Sequence, residues 1–214
     1  MNHKMLSLAD QVFEQLERAI LVGDYKRDEV LTEVRLSESL GVSRTPIREA
    51  IYRLGQERLV EMTGKGARVI GISAGDIADI YEIRLRLEGL CCRRAAEHGD
   101  EEQLQTLRET LELQEFYTQK GDADGIMRMD NRFHQTVYDM CGSAPLRDTL
   151  EPLHRRVVKY RQVSVSTPGR AERSLAEHRK IFEAIEAGNG NLAEKTALEH
   201  LKNARDSILS ERKA

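Results

Sequence analysis

Tryptophan is absent from the 214 residues, and prolines number only 4 and cysteines 3. The cysteines, Cys91, Cys92 and Cys141, form no CxxC pair. Adjacent Cys91 and Cys92 are poor partners for each other, and an odd count argues against a disulfide framework. A reducing cytoplasm is the setting this implies. No stretch approaches the roughly 18 apolar residues of a membrane-spanning helix, so no membrane partner is expected. The N-terminus lacks an apolar signal core, which argues against secretion. Positive charge is not in surplus either: the formal net charge is −3. That balance excludes a generally basic coat for nucleic acid but leaves room for a small local basic face. There is no internal repeat and no low-complexity tract. What remains, 40% hydrophobic and 32% charged, is ordinary for a soluble protein. The length allows one large or two modest domains.

Two halves differ in character. Residues 1–72 mix helical periods with short β-like runs and hold Gly41, Pro46, Gly64, Gly66 and Gly71. Residues 73–214 read as nearly continuous helix. "IGISAGD", Ile70 to Asp76, is rich in small residues and marks the joint.

In the first half, Leu8, Val12, Leu16 and Ala19–Ile20 recur at helical spacing, and Gly23 ends that helix. Thr32 caps a short helix through Leu40, with Arg35 standing where an acidic reciprocal partner is usual. Gly41 supplies the left-handed conformation of a tight inter-helix turn. Ser43 is a good N-cap for a helix reaching about Gln56. Within it Ile47, Ala50, Ile51 and Leu54 form an apolar stripe, with Arg44 and Arg48 on the other side. "LVEM" (Leu59–Met62) and "ARVI" (Ala67–Ile70), joined by "TGKG" (Thr63–Gly66), read as a hairpin. Helix, helix, turn, helix, hairpin is a winged helix-turn-helix.

A helix N-terminus offers free N–H groups to phosphate, and the first residues of a recognition helix reach base edges. Arginine can grip guanine with two parallel hydrogen bonds. Lys65, between glycines that permit close approach, suits backbone or minor-groove contact. From Gly41 to Ile72 six bases (Arg44, Arg48, Arg53, Arg58, Lys65, Arg68) face three acids (Glu49, Glu57, Glu61). An isolated arginine pair is ordinarily a solvated helix face; the turn, cap, stripe and hairpin around this one argue for more.

"LTEVRLSESLGVSRTPIREAIYRLGQERLV…GKGARV", Leu31 to Val69, closely resembles the N-terminal domain of the GntR family of bacterial transcription regulators. By that resemblance Arg35, Ser43, Arg44, Thr45 and Arg48 contact a double-stranded DNA operator, with Lys65 and Gly66 at the wing tip. One departure is Arg58, which stands where the family usually has glycine and bears on the turn into the wing.

The second half divides at capping signals into six helices: Ser73 to His98, Asp100 to near Gly121, Asp122 to near Gly142, Ser143 to around Ser166–Gly169, Arg170 to Ala187, and a last one capped by Asn191 with Glu194. Short links make these an all-α bundle. Polar residues fall on inward faces: Arg84 with Ile77, Ile80, Leu87 and Cys91; Asp130 and His134 with Ile126, Phe133, Val137 and Cys141. His178 lies with Leu175, Phe182 and Ile185, and His200 with Ala193, Ala197 and Ala204. A buried charge is costly unless paired or metal-bound. Asp130 and His134, four apart, can point at one centre, with His178 and His200 joining from neighbouring helices. Three imidazoles and a carboxylate suit a divalent ion, zinc first, with nickel or manganese as alternatives. Arg84 can hold the carboxylate of a small organic acid effector by two hydrogen bonds. Each has a plainer reading: a single inward histidine is ordinarily a satisfied core residue, and Asp130 can pair with Arg128 or Arg132. His154 flanks the Leu146/Leu150/Leu153/Val157 stripe and reads as structural. His98 complements a helix dipole, and His3 belongs to the N-terminal tail.

"DIYEIRLRLEGL", "DNRFHQTVY", "AEHRKIFEAIEAG" and "ALEHL" look like the FCD ligand-binding domain of the FadR subfamily of GntR regulators, over most of Asp76 to Leu201. The resemblance implies a helical bundle, here the shorter six-helix form, a divalent metal at Asp130, His134, His178 and His200, and a carboxylate effector at Arg84. Ser143 and Asn189 depart from the usual Asn and Asp at helix boundaries. The expectation is a cytoplasmic homodimeric repressor-type regulator, not an enzyme, that binds an inverted-repeat operator and whose DNA affinity the effector modulates, release being the commoner outcome in the family. Two other classes are weighed: a metal-dependent hydrolase with a DNA-binding-like appendage, and a constitutive DNA binder whose bundle only dimerises. The hydrolase lacks an obvious further general base.

Overall fold

Ser7 starts the first helix reciprocally. Its hydroxyl accepts the Asp10 N–H at 3.1 Å, and the Asp10 carboxylate accepts the Ser7 N–H at 3.1 Å. The computed structural model describes residues 7–165 and 169–211; His3 and Ser166 lie outside them. The chain divides into two units, Met1–Ser73 and Ala74–Ala214. No helix among the described residues is long and apolar enough to cross a membrane.

In the first unit, α1 (Leu8–Val22) buries Val12, Phe13, Leu16 and Ile20 and ends at left-handed Gly23. β1 (Val30–Leu31) leads into α2 (Glu33–Leu40), where the Thr32 hydroxyl accepts the Arg35 N–H. The Arg35 side chain does not return to the cap as expected; it pairs with Glu29 at 3.0 Å. Gly41, at φ +66°, turns the chain into α3 (Arg44–Gln56). Ile47, Ala50, Ile51 and Leu54 are all buried, and α3 packs on α1.

The hairpin of β2 (Val60–Thr63) and β3 (Gly66–Val69) follows, antiparallel. Its turn falls where the glycines put it. β1 adds to the other edge of β3, giving the order β1-β3-β2. A two-residue strand has no periodicity to read, so nothing in the sequence announced β1. At the end of α3, Arg58 itself adopts the left-handed conformation, φ +55°, that a glycine usually supplies. The Arg58 and Leu59 N–H groups return to Gly55 and Leu54 at 3.0 and 2.9 Å. The helix closure therefore survives the departure, with strain at one residue.

The second unit holds α4 (Ala74–His98), α5 (Glu101–Lys120), α6 (Ala123–Met140), α7 (Ala144–Val165), α8 (Arg170–Glu186) and α9 (Gly190–Glu211). Asp100 and Gln103 form a reciprocal cap, Gly121 is left-handed, and Asp122 accepts the Gly125 N–H. The Ser143 hydroxyl caps α7 through the Leu146 N–H at 3.4 Å. The cap of α9 is Asn189, not Asn191: its side-chain oxygen accepts the Leu192 N–H at 3.1 Å. Asn189 thus serves where an aspartate is usual, because an amide oxygen caps as well as a carboxylate.

α4 runs along α9, α5 packs on α6 and α8, and α8 on α9. α4 and α9 approach so closely at Gly89 that a β-carbon there would lie 3.0 Å from Glu194 and 3.2 Å from Leu198. The apolar core draws on Cys91, Leu107, Phe133, Val137, Leu150, Leu175, Phe182 and Ala197. Cys91, Cys92 and Cys141 are free and buried; burial pushes the Cys91 and Cys92 thiols up, which leaves them unreactive.

Left-handed backbone is unfavourable for a residue with a β-carbon by about 1–2 kcal/mol. Arg58→Gly is expected to stabilise the chain by about 1 kcal/mol, read as a higher urea midpoint with an unchanged m-value.

Candidate functional site

Ser43 occupies the N-cap position of α3 without using its hydroxyl as a cap. Ser43, Arg44, Thr45 and Arg48 are exposed, while Pro46, third in the helix and without an N–H, is buried beside Ile47. Arg44 and Arg48, one turn apart, converge on one carboxylate of another helix, Glu33. Arg44 donates from Nε and Nη2 to Oε2 at 3.1 and 2.9 Å. Arg48 donates from Nε to Oε1 and from Nη2 to Oε2, both at 2.9 Å. The bonds from Arg48 and then Arg44 hold the Glu33 carboxyl down to about 2.

Carboxylates meet three further arginines here as well. Arg35 pairs with Glu29 at 3.0 Å, Arg53 with Asp10 at 2.6 Å, and Arg68 with Asp28 at 2.9 Å and with Glu61. The excess of bases counted between Gly41 and Ile72 is therefore offset in space. Asp10, Asp28 and Glu33 come from outside that window. Lys65 is exposed at the hairpin tip. Gly64 has open space around its α-carbon, whereas a β-carbon on Gly66 would stand 2.6 Å from the Leu31 carbonyl oxygen. Close approach of β1 by itself requires glycine at 66, whatever the wing tip touches.

The second unit is polar where a bundle is usually driest, and every helix from α4 to α9 sends a residue there. His134 (α6), His178 (α8) and His200 (α9) are buried and each offers one ligand atom, all within 4.8 Å of one another. The outer nitrogens explain the arrangement. His134 Nδ1 lies 2.8 Å from Glu88 Oε1, His178 Nδ1 3.0 Å from Gln114 Oε1, and His200 Nδ1 2.8 Å from Glu177 Oε2. Each partner is an acceptor, so each Nδ1 carries a hydrogen and each Nε2 is the atom left to serve as a ligand. An imidazole oriented in this way by its second neighbour can ligate a metal through Nε2 once that atom is unprotonated. His134 Nε2 is buried and makes no hydrogen bond to a described residue.

Asp130, one turn before His134, borders the trio. Its Oδ1 is 3.7 Å from His178 Nε2. The structure thus gathers the three expected histidines and sets the expected aspartate beside them, outside the tightest group.

Arg84 and Glu88 are buried together in α4, with Nε to Oε2 at 2.8 Å and Nη2 to Oε1 at 3.1 Å. Burial alone would raise the Glu88 carboxyl; the Arg84 charge and then His134 overturn this and hold it well below the usual range. Arg84 was expected to hold a ligand carboxylate by two hydrogen bonds; in this structure its Nε and Nη2 are already engaged. Its forked edge is taken by Glu88, and only Nη1 is buried without a hydrogen bond.

His154 of α7, read from sequence as structural, is part of this chamber. Its ring centre is 4.4 Å from that of His134. Burial, then His134 and Arg84, push it well below the ordinary histidine value, so it is neutral. Its Nδ1 faces Arg84 Nη2 at 3.3 Å and must accept; its Nε2 therefore carries hydrogen and donates to Asn131 Oδ1 at 3.0 Å.

Glu88, Gln114, Asn131, Glu177 and His154 were not foreseen in this role. Glu88 could have been: it follows Arg84 by four and shares its face, where the apolar stripe pointed one residue early, to Leu87.

Two protein-family models match the chain. Residues 8–70 match the model described as "Bacterial regulatory proteins, gntR family", and residues 79–203 match the FCD domain. An HTH-type transcriptional regulator of Bacillus subtilis, YdhC, is 33% identical over 90% of this chain and 87% of its own length. The HTH-type transcriptional repressor RspR of Escherichia coli is 28% identical over 92% and 87%. The solved structure of E. coli McbR/YncC superposes with a TM-score of 0.76 at 23% identity, covering 98% of this chain and 100% of that one; at that identity the likeness concerns the fold.

A buried ion pair that loses one partner is strongly destabilising, by about 3–5 kcal/mol. Glu88→Leu is expected to lower the unfolding free energy by that order in urea titration. The double substitution Arg84→Met with Glu88→Leu is expected to recover most of it, because it removes the stranded charge.

Proposed function

The chain belongs to the gntR family of bacterial regulatory proteins and carries an FCD domain, and on that basis we propose a metal-holding, carboxylate-responsive regulator that binds an inverted-repeat operator as a homodimer in the cytoplasm. The regulator reading, as against a metal-dependent hydrolase, accords with relatives that are HTH-type regulators and repressors.

One observation carries the sensing half: three imidazoles whose Nδ1 atoms are each tied to an acceptor and whose ligand atoms gather within 4.8 Å. A cluster of that kind without an ion would leave buried His134 Nε2 unsatisfied. His134, His178 and His200 would hold a divalent ion, with Asp130 as the adjoining oxygen donor. Nitrogen and carboxylate donors suit zinc, with nickel or manganese as alternatives. Such an ion supplies positive charge and a coordination position for a carboxylate. Arg84 keeps Nη1 for the same carboxylate, while Glu88 and His154 hold its other donors in place.

On the reading half, Arg44, Thr45 and Arg48 project from the first turns of α3, with Ser43 at its cap, Arg35 on α2 and Lys65 at the wing tip. Twofold symmetry of a dimer would match an inverted repeat. The effector regulates only if it binds the DNA-competent and incompetent forms unequally.

Purified full-length protein is expected to contain about one divalent ion per chain by elemental analysis, and His178→Ala to lose most of it while keeping its circular dichroism spectrum. Unchanged metal content in His178→Ala would remove this residue from the ligand set. A duplex enriched from a random pool by the wild type is expected to bind Arg48→Ala more weakly by about 1–3 kcal/mol. Unaltered affinity would refute α3 as the reading helix.

A further inference from the structure

Glu33 is the first residue of α2, with its side chain 26% exposed, and it receives donors from two residues of α3. The edges of the guanidinium groups decide what this means. An arginine fork has a side edge, Nε with Nη2, and an end edge, Nη1 with the second hydrogen of Nη2. Both Arg44 and Arg48 meet Glu33 through Nε and Nη2, the side edge. The end edge of each can still grip the O6 and N7 of a guanine with two parallel hydrogen bonds. The carboxylate therefore leaves both arginines equipped to read bases and fixes where they point.

Its charge has a second consequence. Two guanidinium groups that are 59% and 66% exposed would by themselves attract any phosphate backbone. Glu33 sits between them and stays ionised across the physiological range, since the two arginines hold its carboxyl at about 2. Attraction to phosphate depends on net charge, whereas base reading depends on geometry. A shared carboxylate lowers the first and sharpens the second.

We infer that Glu33 is a specificity-determining residue: it clamps Arg44 and Arg48 side-on for base contact and suppresses their sequence-independent attraction to phosphate. This rests on the reading role proposed for α3.

The test uses the full-length chain, a duplex enriched from a random pool by the wild type, and a scrambled duplex of equal length and composition. Fluorescence anisotropy at several KCl concentrations gives both affinities. Glu33→Gln, nearly the same shape without the charge, is expected to bind the scrambled duplex at least threefold more tightly. It should bind the enriched duplex no more tightly than the wild type, so that the ratio falls by threefold or more. Glu33→Asp keeps the charge but shortens the reach. It is expected to weaken the enriched duplex without strengthening the scrambled one. Thermal melts check that both variants fold. An unchanged or larger ratio in Glu33→Gln, with the wild type enriching a defined sequence, overturns this inference alone. Failure of the wild type to enrich any sequence overturns the reading role of α3 and this inference with it.

Discussion

The second unit depends on one constraint: a full charge cannot be buried in a helical bundle without a partner of opposite sign. Arg84 has no access to water, and Glu88 answers it one helical turn away with two hydrogen bonds. The same carboxylate takes the His134 Nδ1 hydrogen at 2.8 Å. One anion therefore neutralises a cation and sets a tautomer. Had Glu88 been apolar, Arg84 would be stranded, and nothing on α4 would orient the His134 ring. The other imidazoles repeat the device with different acceptors, neutral Gln114 for His178 and Glu177 for His200. Glu177 also accepts from Arg170 and Asn203, which fixes its own position.

The two units use the same pairing, a carboxylate against arginine forks, in opposite solvent conditions. Around Glu33 water screens the interaction, so its worth lies in direction and net charge rather than in stability. Around Glu88 the dielectric is low and the pair is costly to break. The exposed pair acts by orienting its arginines and lowering their net charge; the buried pair is expected to hold while ligands come and go beside it.

Much of this was legible in the sequence because it is local. The i, i+3, i+4, i+7 stripe of α3, the left-handed glycines and most caps each lie within one or two turns of chain. The inward faces of α6, α8 and α9 carried His134, His178 and His200 in plain view, since one polar residue in an apolar stripe is conspicuous. The unforeseen residues have non-local causes. Gln114 and Glu177 matter only because another helix places a histidine against them. His154 sits near a leucine stripe and enters the chamber only through the way α7 packs. Glu88 was hidden by a one-residue phase error, Leu87 being the apolar neighbour a stripe prefers. The charge count from Gly41 to Ile72 was incomplete for the same reason: Glu33 is eight residues before that window and touches two of its exposed arginines, Arg44 and Arg48.

Under the proposed function the position of Glu88 sets the terms of regulation. A carboxylate ligand drawn to Arg84 Nη1 competes with nothing, since Glu88 and His154 hold the other donors. It does redistribute charge around a guanidinium whose partner is also the partner of His134. An ion on the histidines and an acid on Arg84 then share one second neighbour, and neither can bind without changing the electrostatic surroundings of the other. Linkage makes such an influence mutual: whatever the ion adds to the affinity for the acid, the acid adds to the affinity for the ion. A single buried carboxylate is thus the route by which, under the proposed function, occupancy of one site would bear on the other.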